Sequence, residues 1–66
     1  MTVEAVRLYS VASAATQLEV SPDYIYDRIH NGDLAVTELG SGRPKQRIRA
    51  DVLQAFIDAR TFGWKT

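Results

Sequence analysis

Two helix-start signals follow one another so closely that they fix much of what this chain can become. Ser10 precedes a pattern in which Val11, Ala14, Ala15 and Leu18 recur at i, i+3, i+4 and i+7, which is one helix face. Serine is a good N-cap because its hydroxyl oxygen accepts from a backbone N–H that the first turn leaves unpaired. The pattern stops near Glu19. Ser21 then caps a second helix, with Pro22 at the first position, where its missing N–H costs nothing. Asp23 falls in the first turn and suits the positive end of the helix dipole. Ile25 and Ile29 stack at i, i+4, and Asn31-Gly32 ends the run, with Gly32 free to adopt a left-handed cap conformation. About three residues separate the two helices, which is helix-turn-helix spacing. So short a turn makes the two apolar faces meet and cross.

Strand character follows in Val36–Leu39 and again in Gln46–Arg49, with the turn-rich stretch Gly40–Lys45 between them. This predicts a β-hairpin with a basic, flexible tip. Period-2 alternation turns Thr37, Leu39 and Ile48 toward the core. A third helix is expected over Asp51–Arg60, with Leu53, Phe56, Ile57 and Arg60 on one face. Leu8 and Tyr9 either pair as a short strand or pack as a staple. The expected layout is a single domain over 1–66, with an N-terminal segment 1–9, a core 10–60 and a tail 61–66 that carries Phe62 and Trp64. The fold class is mainly α with a small β-hairpin.

Composition narrows the function classes. A chain of 66 residues has little room for a deep active site. It contains no cysteine and a single histidine, so cysteine or multi-histidine metal sites are excluded. No nucleophile–base pair or phosphate loop is visible, so neither catalysis nor a cofactor nor a small-molecule substrate is expected. No apolar run suggests a membrane span or a signal peptide, so the expectation is a soluble, intracellular protein. The formal net charge is zero, but it is unevenly spread. Residues 1–40 hold two arginines against six acidic residues, a net charge of −4. Residues 41–66 hold six basic residues against two acidic ones, a net charge of +4. Such a split hints at a nucleic-acid or acidic-partner surface.

Helix-turn-helix, hairpin and helix in this order form a winged-helix layout, and the residues themselves resemble excisionase-type, MerR-like winged-helix domains. Ser10-Val11, Ala14-Ala15 and Leu18-Glu19-Val20-Ser21 are similar to the start of those domains. Ser21, Ile25-Tyr26, Ile29 and Gly32-Asp33-Leu34 are similar to their recognition helix and its exit. Leu39-Gly40, Arg47-Ile48-Arg49, Asp51-Val52-Leu53 and Ala55-Phe56-Ile57 are similar to their wing and last helix. The resemblance covers Ser10–Arg60, and its weight lies in the order and spacing of these pieces. It implies a winged helix-turn-helix that binds double-stranded DNA, most like a small temperate-phage excisionase in a bacterial cytoplasm. Such a factor binds tandem sites near an attachment site, bends the DNA and directs integrase toward excision. The family also contains small transcriptional regulators. The dimerising coiled coil of its larger members has no counterpart here, so dimerisation by that route is not expected. Three positions depart from the family. Glu19 replaces the turn glycine, Asp23 and Asp27 stand where basic residues are common, and the Gly40–Gln46 loop is long.

The candidate DNA-binding residues fall in two groups. On the recognition helix they are Ser21, Pro22, Asp23, Tyr24, Tyr26, Asp27, Arg28 and His30. Asp23, Tyr24, Asp27 and His30 are expected opposite the core, with Tyr26 and Arg28 flanking it. Carboxylates there can accept from cytosine N4–H₂, tyrosine hydroxyls can bond phosphate, and the helix N-terminus suits an anion. The bland alternative is a solvated polar face. On the wing they are Arg43, Lys45, Arg47 and Arg49, four cations within seven residues. Arginine suits a narrow minor groove, and alternation puts Arg47 and Arg49 on one face, along a phosphate strand. The alternative is an edge hairpin protected from aggregation by charge. Arg7 and Arg28 otherwise pair with nearby acids. Phe62 and Trp64 either cover the third helix or anchor another protein, such as integrase or a second copy. The charge split favours head-to-tail contact between copies on adjacent sites. A winged-helix adaptor that binds protein rather than DNA is the competing class.

Overall fold

The structure, a computed structural model, describes residues 6–63, with the side chain of Arg43 outside that description. Strand β1 (Leu8–Ser10) leads directly into helix α1 (Val11–Leu18). Helix α2 (Pro22–His30) follows after the short turn. Strand β2 (Thr37–Glu38), one turn of 3-10 helix (Arg43–Lys45), strand β3 (Gln46–Arg49) and helix α3 (Ala50–Ala59) complete the fold. No helix among the described residues is long and apolar enough to cross a membrane.

Both expected caps form. Ser10 Oγ accepts from the Ser13 N–H at 3.0 Å, and Ser21 Oγ from the Tyr24 N–H at 3.3 Å. Both helices end in the same way. At the end of α1 the Val20 N–H donates to the Ala15 carbonyl at 2.9 Å and the Glu19 N–H to Thr16 at 3.1 Å. At the end of α2 the Asp33 N–H donates to Arg28 at 2.8 Å and the Gly32 N–H to Ile29 at 3.1 Å. This paired bonding requires a left-handed residue just past the helix. Gly32 supplies it at φ 85°, and Glu19 at φ 56° is the one non-glycine residue of positive φ among those described. A side chain in that conformation costs on the order of 1 kcal/mol.

The sheet has three antiparallel strands rather than the two of a hairpin, in the order β1-β3-β2. Leu8–Tyr9 is a strand, not a staple, and Tyr9 pairs with Ile48. Directly opposed residues share a face. Ile48 is fully buried and half-buried Tyr9 packs beside it on the inner face. Leu8, Ser10, Arg47 and Arg49 are paired on the other face, and Thr37, opposite Arg47, joins them. The expectation that Thr37 and Leu39 face the core is therefore corrected. Thr37 shares the outer face of Arg47, and Leu39 is 57% exposed beyond the end of β2. A strand of two residues is too short for alternation to fix its register.

The core sits where α1, α2 and α3 meet the inner sheet face. Val11, Ala14, Ala15, Ile25, Leu34, Ile48, Leu53 and Phe56 are buried. Ile25 and Ile48 exclude all solvent, and each contributes about 1.5–3 kcal/mol of transfer free energy. The third helix begins at Ala50, one residue before the expected Asp51, and ends at Ala59.

Candidate nucleic-acid interface

The first surface is the outer side of α2. Its N-terminal turn exposes Ser21, Pro22 and Asp23, and one turn further on Asp27 and His30 are also exposed. Asp23 and Asp27 are spaced i, i+4, so two carboxylates lie above one another on the helix surface. Tyr24 does not stand opposite the core as expected. It is half-buried and packs against the core, as Tyr26 does. At 100° per residue Tyr24, one position before fully buried Ile25, lies on the flank of the core rather than opposite it.

Arg28 is half-buried at the last turn of α2. Its guanidinium lies 5.4 Å from the Tyr24 ring centroid, and its Nη1 donates to Asp33 Oδ2 at 3.0 Å. Its Nε is buried without a hydrogen-bond partner. The same Asp33 oxygen accepts from Arg60 Nη2 at 3.3 Å, and Arg60 stacks over Phe56 at 3.9 Å from its centroid. Partly exposed pairs of this kind contribute about 0.2–1 kcal/mol each. Arg28 thus pairs with an acid as expected. Arg7 instead lies over the Tyr9 ring at 4.5 Å.

The second surface is the β2–β3 loop and the outer sheet face. The loop is closed by the Leu39 N–H donating to the Lys45 carbonyl at 2.9 Å and the Lys45 N–H donating to Gly42 at 3.2 Å. Arg43 opens the 3-10 turn, its side chain outside the described residues. Lys45 is exposed and has no acidic partner among the described residues. Arg47 is half-buried, and its Nη1 donates to the Pro44 carbonyl at 2.8 Å and to the Gln46 carbonyl at 2.9 Å. This guanidinium laces the loop to the strand. Arg49 is held bidentately by Asp51, Nε to Oδ1 at 3.0 Å and Nη2 to Oδ2 at 2.8 Å. The hydrogen bond from Arg49 keeps the exposed Asp51 carboxyl below its ordinary value.

Arg47 and Arg49 share a face as the alternation predicts, but their side chains are occupied in different ways. Beyond the α3 helix, Phe62 is 86% exposed and does not fold over it, while Trp64 lies outside the described residues. Two charged residues at these surfaces escaped the sequence reading, Asp33 as a bridge and Arg60 as its partner. They lie 27 residues apart, and no local pattern joins them. Among the described residues no three His, Asp or Glu side chains gather as a metal site. Comparison with protein-family models, curated proteins and solved structures finds no match to this chain.

Proposed function

We propose that this chain is a winged-helix protein that binds double-stranded DNA, with α2 entering a major groove and the β2–β3 loop gripping the adjacent minor groove. The observation that carries the reading is the loop itself. It places Lys45, exposed and free of an acidic partner among the described residues, beside Arg43 and on a frame that Arg47 laces from behind. A cation held as Lys45 is can neutralise phosphate without first giving up an acidic partner. The short α1–α2 turn, closed by Glu19, supports the same reading, because α2 packs its Ile25 side into the core with α1 while Asp23, Asp27 and His30 stay exposed. On that side Asp23 and Asp27 accept from cytosine amino groups rather than contact phosphate.

Within this reading the protein is an excisionase-like architectural factor. Copies bind adjacent sites, bend the DNA and favour integrase assembly, and the bend is repaid by the added contacts. Head-to-tail contact would set the acidic side of α2 against the basic loop of the next copy. A small transcriptional regulator is the nearest variant, separated from the first by DNA bending and by integrase dependence. The exposed Asp23–Asp27 pair specifically favours a second reading, an adaptor whose partner is a basic protein surface.

Fluorescence anisotropy on duplex DNA over a salt series tests the proposal, with one duplex from a candidate attachment site and one random. The variant to compare is Arg43→Ala/Lys45→Ala, since Arg47→Ala would also unlace the loop. Salt-steep binding that prefers the attachment site is expected. The variant should lose about 0.9 in slope for each phosphate contact removed, or about 1.8 in all. Absence of binding by the unaltered protein near 50 mM salt would overturn the DNA reading and leave the adaptor.

A further inference from the structure

Two guanidinium groups, one from α2 and one from the end of α3, converge on a single carboxylate oxygen. Arg28 Nη1 and Arg60 Nη2 lie 3.0 and 3.3 Å from Asp33 Oδ2. Each guanidinium also rests on an aromatic ring, Arg28 on Tyr24 and Arg60 on Phe56, which fixes its plane. Two partly exposed cations held close together and preoriented present the layout that binds a phosphate oxygen. In the free protein, a carboxylate fills that place.

We propose that Arg28 and Arg60 form a phosphate site for the DNA backbone and that Asp33 is its built-in competitor. The proposal rests on the DNA-binding reading above. The exchange needs little movement. The backbone of Asp33 is pinned, because its N–H donates to the Arg28 carbonyl at 2.8 Å as part of the helix cap. Its side chain is about one-third exposed, and a rotation about its side-chain bonds is enough to clear the site. Asp33 engages the Arg28 guanidinium only through Nη1, and the buried Nε has no partner in the free protein, so the carboxylate leaves this cation incompletely satisfied. The carboxylate thereby holds non-specific affinity down, because every phosphate must displace it. A duplex seated in register by α2 and the loop delivers its phosphate at high local concentration.

The test compares the unaltered protein with Asp33→Asn, which keeps the side-chain shape and an acceptor oxygen but removes the charge. Binding to a random duplex at about 100 mM salt should tighten by about five- to tenfold, with a slope steeper by about 0.9 for each arginine that gains a phosphate. Adding Arg60→Gln to Asp33→Asn should abolish most of that gain. A wild-type readout guards against misfolding of the variant: on titration with duplex, the carboxyl-carbon resonance of Asp33 and the Nε–H resonance of Arg28 should both shift. Titration with inorganic phosphate distinguishes the source, and shifts at millimolar phosphate equal to those with duplex would overturn a backbone-specific site. If the unaltered protein binds DNA but Asp33→Asn binds no tighter and the Asp33 resonance stays fixed, the competitor is refuted while the DNA reading stands. If neither protein binds any duplex, both fall together.

Discussion

Helix α2 and the β2–β3 loop are built in opposite ways. The helix is capped at both ends, anchored by fully buried Ile25, and followed by Leu34 turning back into the core. Its exposed charges are acidic. The loop has no buried side chain between Leu39 and Lys45 whose burial is described, and two backbone hydrogen bonds and one guanidinium close it. Its charges are basic. Under the proposed DNA-binding reading, a rigid acidic element and a lightly held basic one would divide the labour of binding a polyanion. In that reading the loop would supply attraction that salt can screen, and the helix geometry and rejection of wrong sequences, since a carboxylate facing a base with no donor is penalised.

The sharpest way to break this comparison is to remove one apolar side chain from each part. Ile25→Ala should cost about 2–5 kcal/mol, a large share of the roughly 3–10 kcal/mol available to a domain of this size. Leu39→Ala should cost less than about 0.5 kcal/mol. Urea unfolding measures both, and a cost above about 1 kcal/mol at Leu39 would mean the loop is anchored after all. Next in size, Asp23→Asn/Asp27→Asn should tighten binding to random duplex by about three- to tenfold at low salt while lowering the preference for the target site. Unchanged discrimination between the two duplexes would take the helix face off the contact line. Smaller again, Glu19→Gly should raise stability by about 0.5–1 kcal/mol, seen as a melting temperature a few degrees higher. A lower melting temperature would show that the Glu19 side chain contributes more than its backbone strain removes.

The smallest effect concerns the Arg49–Asp51 pair. Asp51 has its carboxyl lowered in the folded state by the Arg49 hydrogen bond. Its contribution is therefore present above the unfolded value, near 3.9, and is lost as the pH falls through the lower folded one. The melting temperatures of the unaltered protein and Asp51→Asn should differ slightly at neutral pH and converge in acid below about pH 4. A difference that persists at pH 2 would assign the effect to something other than this charge.

The parts governed by local chemistry were legible in the sequence. The serine caps, Pro22 at a helix start, the glycine stop at Gly32 and the apolar faces of all three helices follow from short-range rules and stand as read. Glu19 is more informative. It stands where the resembled family has its turn glycine, and it adopts a positive φ despite its side chain. What stayed hidden depends on partners distant in sequence. Thr37 and Leu39 do not face the core because β2 is only two residues long and pairs Thr37 with outward Arg47, a register that alternation within the strand does not set. Lys45, Arg47 and Arg49 look equivalent as letters, yet one has no acidic partner among the described residues, one laces backbone carbonyls and one is paired. Phe62 gave no sequence signal to separate covering the helix from standing exposed.

The place of β1 in the sheet bears on how the chain comes to be folded. Leu8 pairs with Arg49, and the Ala50 N–H donates to the Arg7 carbonyl at 2.8 Å, so the first strand waits for nearly the last element before it has a neighbour. A chain leaving the ribosome exposes α1 and α2 first, with their apolar faces still lacking Ile48, Leu53 and Phe56. Closing so long a loop adds only a logarithmic entropic term, but it slows the search. A chain that ended before Gln46 would leave the apolar faces of the helix pair without Ile48, Leu53 and Phe56, a half-made core open to aggregation.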